Sequence, residues 1–276
     1  MMTEANFRLA GGAQPLMLVP AFVNGKGPCE FILDTGAGIT LLTAELARQL
    51  GITPTESKEG MGAGGKVKVS LGKVASLAIG EARIEALQVA ITPELHGIGA
   101  AIGAKIDGNI GYNYLKNFCL TIDYAKRTLR LTQAEHESVN SEYSAQPQIK
   151  FRLAHPAKPL LLVPTLVNGK GPYQFALDTG ASTTVVSPEL AQNLGIRSTS
   201  AAAMTGGGGK VQAAIGKVES LAVGAAKVED LPVMVADFLV MLSQATATKL
   251  DGIIGYNFLK EFRVTIDYPN ERLYLM

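Results

Sequence analysis

The chain has 276 residues, 47% of them hydrophobic and 18% charged, with 25 basic against 24 acidic side chains. That length suits one large domain or two of about 130 residues, and the scattered, balanced charge leaves no electrostatic footprint for nucleic acid. No apolar run is long enough to cross a bilayer, so no membrane span is expected.

The opening residues, Met1 to Asn6, lack both a basic start and an apolar core, so no leader is visible. A periplasmic or secreted location is expected if a leader has been removed, and a cytoplasmic one otherwise. Phe7 to Ala10 reads as extended, followed by an apolar strand from Leu16 to Val23. The chain then turns at Asn24-Gly25-Lys26-Gly27-Pro28, where Asn-Gly tolerates the positive φ of a tight hairpin. The returning strand ends in Phe31-Ile32-Leu33, whose unbroken apolar character predicts burial on both faces, and it runs straight into Asp34-Thr35-Gly36-Ala37.

Thr43 to Leu50 reads as a short helix with Thr43 as N-cap and Gly51 as the stop. A glycine-dense stretch follows, Gly60-Met61-Gly62-Ala63-Gly64-Gly65-Lys66, then alternating strands around Lys73 to Ile79 and Ala82 to Ile91. Asp107-Gly108-Asn109-Ile110-Gly111 precedes a short helical turn and a closing hairpin, Leu120 to Tyr124 with Thr128 to Leu131.

The whole order then recurs. Asp178-Thr179-Gly180-Ala181 lies 144 residues after the first copy (178 − 34), and the same offset superimposes Asn168-Gly169-Lys170-Gly171-Pro172, Asp251-Gly252, Ile254-Gly255-Tyr256-Asn257 and Thr265-Ile266-Asp267-Tyr268. Roughly half of the aligned positions are identical, which marks an internal duplication. The second helix is expected at Ser187 to Leu194, and the second glycine-dense stretch runs from Met204 to Lys210. The reading is all-β: two homologous lobes, 1–132 and 150–276, of about ten short strands each, with these two brief helices. The polar segment 133–149, without apolar period, is read as the linker.

Cys29 and Cys119 align with Tyr173 and Arg263, so the repeated fold needs neither; two reduced thiols are expected, with a disulfide confined to the first lobe as the alternative. His96, His136 and His155 are isolated and read as surface or loop residues. No metal-ligand spacing occurs, and neither metal nor organic cofactor is expected.

Two lobes that each offer one carboxylate from an identical turn suit acid–base hydrolysis at a shared site. The motifs in their order, apolar-apolar-Asp-Thr-Gly-Ala, a glycine-rich hairpin, then Ile110-Gly111 and Ile254-Gly255, closely resemble the aspartic peptidases of the pepsin and retroviral-protease superfamily. The resemblance covers nearly the whole chain. Ala37, Ala181 and the Gly-Tyr-Asn segments look like the retroviral branch, whereas two lobes on one chain is the pepsin arrangement; the chain looks like a duplicated, fused bacterial-type retropepsin.

The resemblance implies two acid-protease β-barrel lobes with a cleft between them. Asp34 and Asp178 would be the catalytic pair, sharing one proton because neighbouring like charges cannot both ionise. Thr35, Gly36, Thr179 and Gly180 would support it, the threonines by hydroxyl bonds across the interface. Met61, Gly62, Ala63, Gly64, Thr205, Gly206, Gly207 and Gly208 would form the substrate-binding flaps. The expected activity is aspartic endopeptidase on an extended peptide or protein, by a monomer.

Two departures stand out. Neither hairpin has the flap tyrosine of pepsins, and Asn109 replaces an apolar residue where the second lobe has Ile253. Asn109 is expected to loosen the first lobe slightly and is the one hint of decay, which keeps a non-catalytic peptide-binding protein as the rival reading. A narrow processing protease is a third. Ala37 and Ala181 replace the serine common in pepsins and so remove a hydroxyl donor to the carboxylates; a mildly acidic to near-neutral working pH is expected.

Overall fold

The computed structural model describes residues 2–133, 143, 146–156 and 158–276. The expected linker, 133–149, and His136 therefore fall largely outside the described residues.

Among those residues the strands form three sheets, one per lobe and one shared. In the first lobe, Leu16–Val23 and Lys26–Leu33 make the expected hairpin, with Asn24 and Gly25 at φ 53° and 74°. This pair of left-handed residues matches the right-handed twist of the flanking strands. Phe31, Ile32 and Leu33 are buried, and Lys26–Leu33 pairs in parallel with Gly108–Ile110, which in turn pairs with Leu41–Thr43. The second lobe repeats the arrangement with Lys170–Leu177, Gly252–Ile254 and Val185–Val186.

The predicted helices form as Ala44–Gln49 and Pro188–Leu194. Thr43 Oγ1 accepts the Leu46 amide and Ser187 Oγ accepts the Leu190 amide, as N-caps should. The short turns at Tyr112–Leu115 and Tyr256–Leu259 are also present. Two longer helices were not expected, Leu95–Ile102 and Phe238–Thr246. Neither has a side-chain N-cap, and each is anchored by packing: Leu95 sits in a cluster with Leu18 and Ile32, and Phe238 and Leu239 in one with Leu162 and Ile253.

The shared sheet has the order Met2–Asn6, Thr128–Gln133, Phe118–Asp123, Arg263–Asp267, Arg272–Leu275, Ile149–Lys150. The closing hairpins near Leu131 and Leu275 lie where the repeat implies. The sequence reading also places the extended segments 7–10 and 151–154 in this interlobe sheet beside the closing strands, and the structure does not. Arg8–Ala10 and Arg152–His155, within or overlapping the segments 7–10 and 151–154, pair inside their own lobes. The outer strands come instead from Met2–Asn6 and Ile149–Lys150.

Phe118–Asp123 and Arg263–Asp267 join the lobes, and Thr121 pairs with Thr265 in register, their hydroxyls 3.0 Å apart. Tyr143 reaches this sheet as well: its buried hydroxyl lies 3.2 Å from Thr121 Oγ1 and accepts from Arg130 Nη2 at 2.7 Å. No disulfide joins the two buried cysteines. No helix among the described residues is long and apolar enough to cross a membrane.

Candidate active site

The two Asp-Thr-Gly turns meet where the lobes face each other. Each hangs from the end of a buried strand and is fastened by the neighbouring parallel one: the Asp34 amide donates to Ile110 O and the Asp178 amide to Ile254 O, both at 3.0 Å. The aspartates are thus held at a core-anchored strand end.

Four hydrogen bonds lock the turns to one another. The Thr35 amide donates to Thr179 Oγ1 (3.1 Å), and Thr35 Oγ1 donates to Leu177 O (2.8 Å). Reciprocally, the Thr179 amide donates to Thr35 Oγ1 (3.0 Å) and Thr179 Oγ1 to Leu33 O (2.7 Å). All four are buried, where a lost partner is costly.

The glycines make close approach possible. Gly36 N donates to Asp34 Oδ1 and Gly180 N to Asp178 Oδ1, both at 2.8 Å. A Cβ on Gly36 would lie 2.5 Å from Asp178 Oδ2, and one on Gly180 would lie 2.6 Å from Asp34 Cγ. Each turn therefore presses on the opposite carboxylate, a fit that only glycine allows.

Each carboxylate lies against the opposite turn, which brings the two side chains together across the lobe interface. Burial, and then the charge of Asp34, push the Asp178 carboxyl well above the usual range, against the opposing effect of the Gly180 amide. Burial pushes the phenols of Tyr124 and Tyr268 up, with smaller contributions from the charges of Asp178 and Asp34 respectively, and neither hydroxyl has a protein hydrogen-bond partner among the described residues.

Asn109 overturns its sequence reading. Its Nδ2 donates to Asp34 Oδ2 at 2.6 Å, so it braces the site rather than loosening the lobe. It also supplies a side-chain donor that the argument from Ala37 held to be missing in the first lobe. Ile253, its counterpart, is hydrocarbon and can donate nothing. The signal was present in the sequence as a polar residue breaking an apolar repeat, but spacing alone did not aim it at Asp34.

A further brace was not foreseen. Asn113 Oδ1 accepts from both Thr40 N (2.8 Å) and Thr40 Oγ1 (2.9 Å), while Thr40 Oγ1 accepts the Gly111 amide (3.2 Å). Asn257, Thr184 and Gly255 repeat these bonds. The Thr40/Thr184 match at the common offset was the available clue. Asp107 and Asp251 are structural and bond outside their own turns: Asp107 Oδ2 accepts Glu30 N and Asp251 Oδ2 accepts Gln174 N, both at 2.9 Å. Asp123 and Asp267 do close theirs, accepting the amides of Lys126 and Asn270.

The glycine-rich segments are hairpins, Glu56–Gly62 with Gly65–Lys73 and Ser198–Gly206 with Gly209–Val223. Their tips join: Gly64 N donates to Gly207 O at 2.8 Å. A Cβ on Gly62 would collide with Gly207 O, and one on Gly64 with Gly209 N. Gly62, Ala63 and Gly64 thus meet Gly206, Gly207 and Gly208 as one joined tip region rather than as two separate hairpins, while Met61 and Thr205 pair with Lys66 and Lys210 inside their own hairpins. Lys66 pairs with Glu59 at the surface. Among the described residues, no group of three or more His, Cys, Asp or Glu is placed to hold a metal ion.

A retropepsin-like aspartic protease from Rickettsia conorii, of known crystal structure, is 24% identical over 48% of this chain and 90% of its own, with a TM-score of 0.33. No curated protein matches. The family described as aspartyl protease matches residues 19–114 and again 163–258. Those two segments take in well over half of the chain, and the chain belongs to the aspartyl protease family.

Proposed function

We propose that this protein is an aspartic endopeptidase that hydrolyses peptide bonds in extended peptides or proteins, using water activated by Asp34 and Asp178. The observation that carries the reading is the pair itself: two carboxylates from different lobes, each pressed against the glycine of the opposite turn and held by reciprocal threonine bonds. Two such groups hold one proton between them, so the pair contains a base for the water and an acid for the carbonyl oxygen at once. Its titration belongs to both groups together.

The joined hairpins support a lid that closes over a bound chain and excludes water from the reaction. Because both carboxylates come from one chain, the active unit is a monomer. No metal enters the chemistry proposed, which needs only carboxylates and water. The rival, a peptide-binding protein without turnover, rested on Asn109 as a sign of decay; an asparagine bonded to Asp34 no longer favours it.

The test is incubation with a peptide library, with and without pepstatin, read by mass spectrometry. Cleavage by the wild-type chain that pepstatin blocks, and that Asp34→Asn abolishes, supports the reading. An intact library after prolonged incubation across pH 3–8, a range set roughly by carboxylate and dyad titration, would reject it.

A further inference from the structure

The duplication makes the two turns alike in their Gly36 and Gly180 amides, their threonine bonds and their parallel strands. The carboxylates nevertheless differ in one contact. Asp34 accepts N–H bonds on both oxygens, from Gly36 N on Oδ1 and from Asn109 Nδ2 on Oδ2. Asp178 accepts the Gly180 amide on Oδ1, with the Ala181 amide also acting on it, but it has no side-chain amide donor: the position matching Asn109 is Ile253.

An amide N–H only donates. Facing Asp34 Oδ2 at 2.6 Å, it stabilises a carboxylate oxygen and clashes with a proton placed there. Asn109 is buried, and among the described residues its Oδ1 has no hydrogen-bond partner, so the side chain's polar contact there goes to Asp34. A buried amide left half-satisfied is costly, and a bond to a charged acceptor offsets that cost better than one to a neutral acid.

We propose that Asn109 is a positioning residue that holds the shared proton on Asp178 and the negative charge on Asp34, giving the two aspartates fixed and different roles. The phenols that feel the pair's charge are Tyr268, from Asp34, and Tyr124, from Asp178, with Tyr112 packed on Tyr268 and Tyr256 on Tyr124; these phenols stay neutral when buried and do not reverse the bias.

The consequence for the chemistry rests on the peptidase reading. Water adds its oxygen to the carbonyl carbon and gives a proton to Asp34, while the carbonyl π pair moves to oxygen and takes the proton of Asp178. The product is a gem-diol, with Asp34 now protonated and Asp178 ionised. Total charge and proton count are unchanged.

The test is carbon-13 NMR of the aspartate carboxyl carbons in the full chain, at a pH where the pair carries one proton. Wild type should show Asp34 ionised and Asp178 neutral. Asn109→Ile, which copies the second lobe, should raise the fraction of molecules with the proton on Asp34 about tenfold, the loss of one hydrogen bond to a charged group. Ile253→Asn in the otherwise native chain gives Asp178 its own donor and should shift the proton the same way. The exchange variant, Asn109→Ile with Ile253→Asn, should invert the pair. In turnover, Asn109→Ile should lower kcat about tenfold with little change in KM and shift the pH–rate profile. A neutral Asp34 in the wild type, or resonances unmoved in both Asn109→Ile and Ile253→Asn, overturns the assignment. The NMR result is independent of turnover: an asymmetric pair in a chain that cleaves nothing upholds the assignment and sinks the peptidase reading.

Discussion

Thr35 and Thr179 hold each other's backbone: each hydroxyl accepts the other residue's amide and donates to a carbonyl of the opposite strand. The arrangement leaves no slack between the aspartate turns. Thr35→Val keeps the shape but strands the Thr179 amide and the Leu177 carbonyl. It should cost roughly 2–6 kcal/mol, since each of the two buried groups left unpaired costs about 1–3. Thr35→Ser should recover most of that loss. Urea unfolding of the three proteins checks this; equal midpoints for Val and wild type would reject the lock.

Asp34 and Asp178 should fail together. Either Asp→Asn change is expected to abolish peptide cleavage while leaving the circular-dichroism spectrum unchanged, and the double variant should be scarcely worse than either single one, because the pair acts as a unit. Substantial cleavage by one single variant would place the active groups elsewhere.

Asp178 also couples stability to pH. Its carboxyl is pushed up by burial first and by Asp34 next, so the folded chain keeps a proton that the unfolded chain releases above about pH 4. The native state then binds more protons, and stability falls as pH rises from there through the raised value. Asp178→Asn cannot ionise and avoids this loss. Its stability advantage over wild type, measured by denaturant unfolding, should widen as pH rises from about 4 to about 8. Parallel stability curves would contradict the burial of an ionisable group at this place.

The joined hairpin tips predict a steric effect of a single methyl. Gly62→Ala places a Cβ against Gly207 O, so the tips must part. Amide exchange at Gly64, which donates to Gly207 O, should accelerate markedly, and KM for an extended peptide should rise. Unchanged exchange at Gly64 would mean that the tips do not meet in solution.

Legibility followed how local each feature's cause is. The caps at Thr43 and Ser187, the Asn24-Gly25 turn and the buried run Phe31 to Leu33 could be read because a few adjacent residues determine them. Leu95–Ile102 escaped because Gly97 and Gly99 lower its intrinsic helicity and tertiary packing supplies the difference. Phe238–Thr246 escaped because a short apolar run without a capping side chain does not reveal its period. Met2–Asn6 escaped because a polar edge strand is held by backbone pairing to 128–132, which side-chain patterning does not record. The pair of aspartates was visible because it is repeated; Asn109 was misread because it is not, and its partner lies 75 residues away.

The register between the lobes has a further consequence. Thr121 opposes Thr265, Leu120 opposes Ile266 and Ile122 opposes Val264, so exchanging the halves maps the seam onto itself. Either half alone would present Phe118–Asp123 or Arg263–Asp267 as a bare edge, a template for a second copy. Covalent fusion makes the encounter intramolecular and independent of dilution. It also removes a constraint of heredity: two identical copies must carry asparagine beside both carboxylates or beside neither. Only a fused pair can place it beside one.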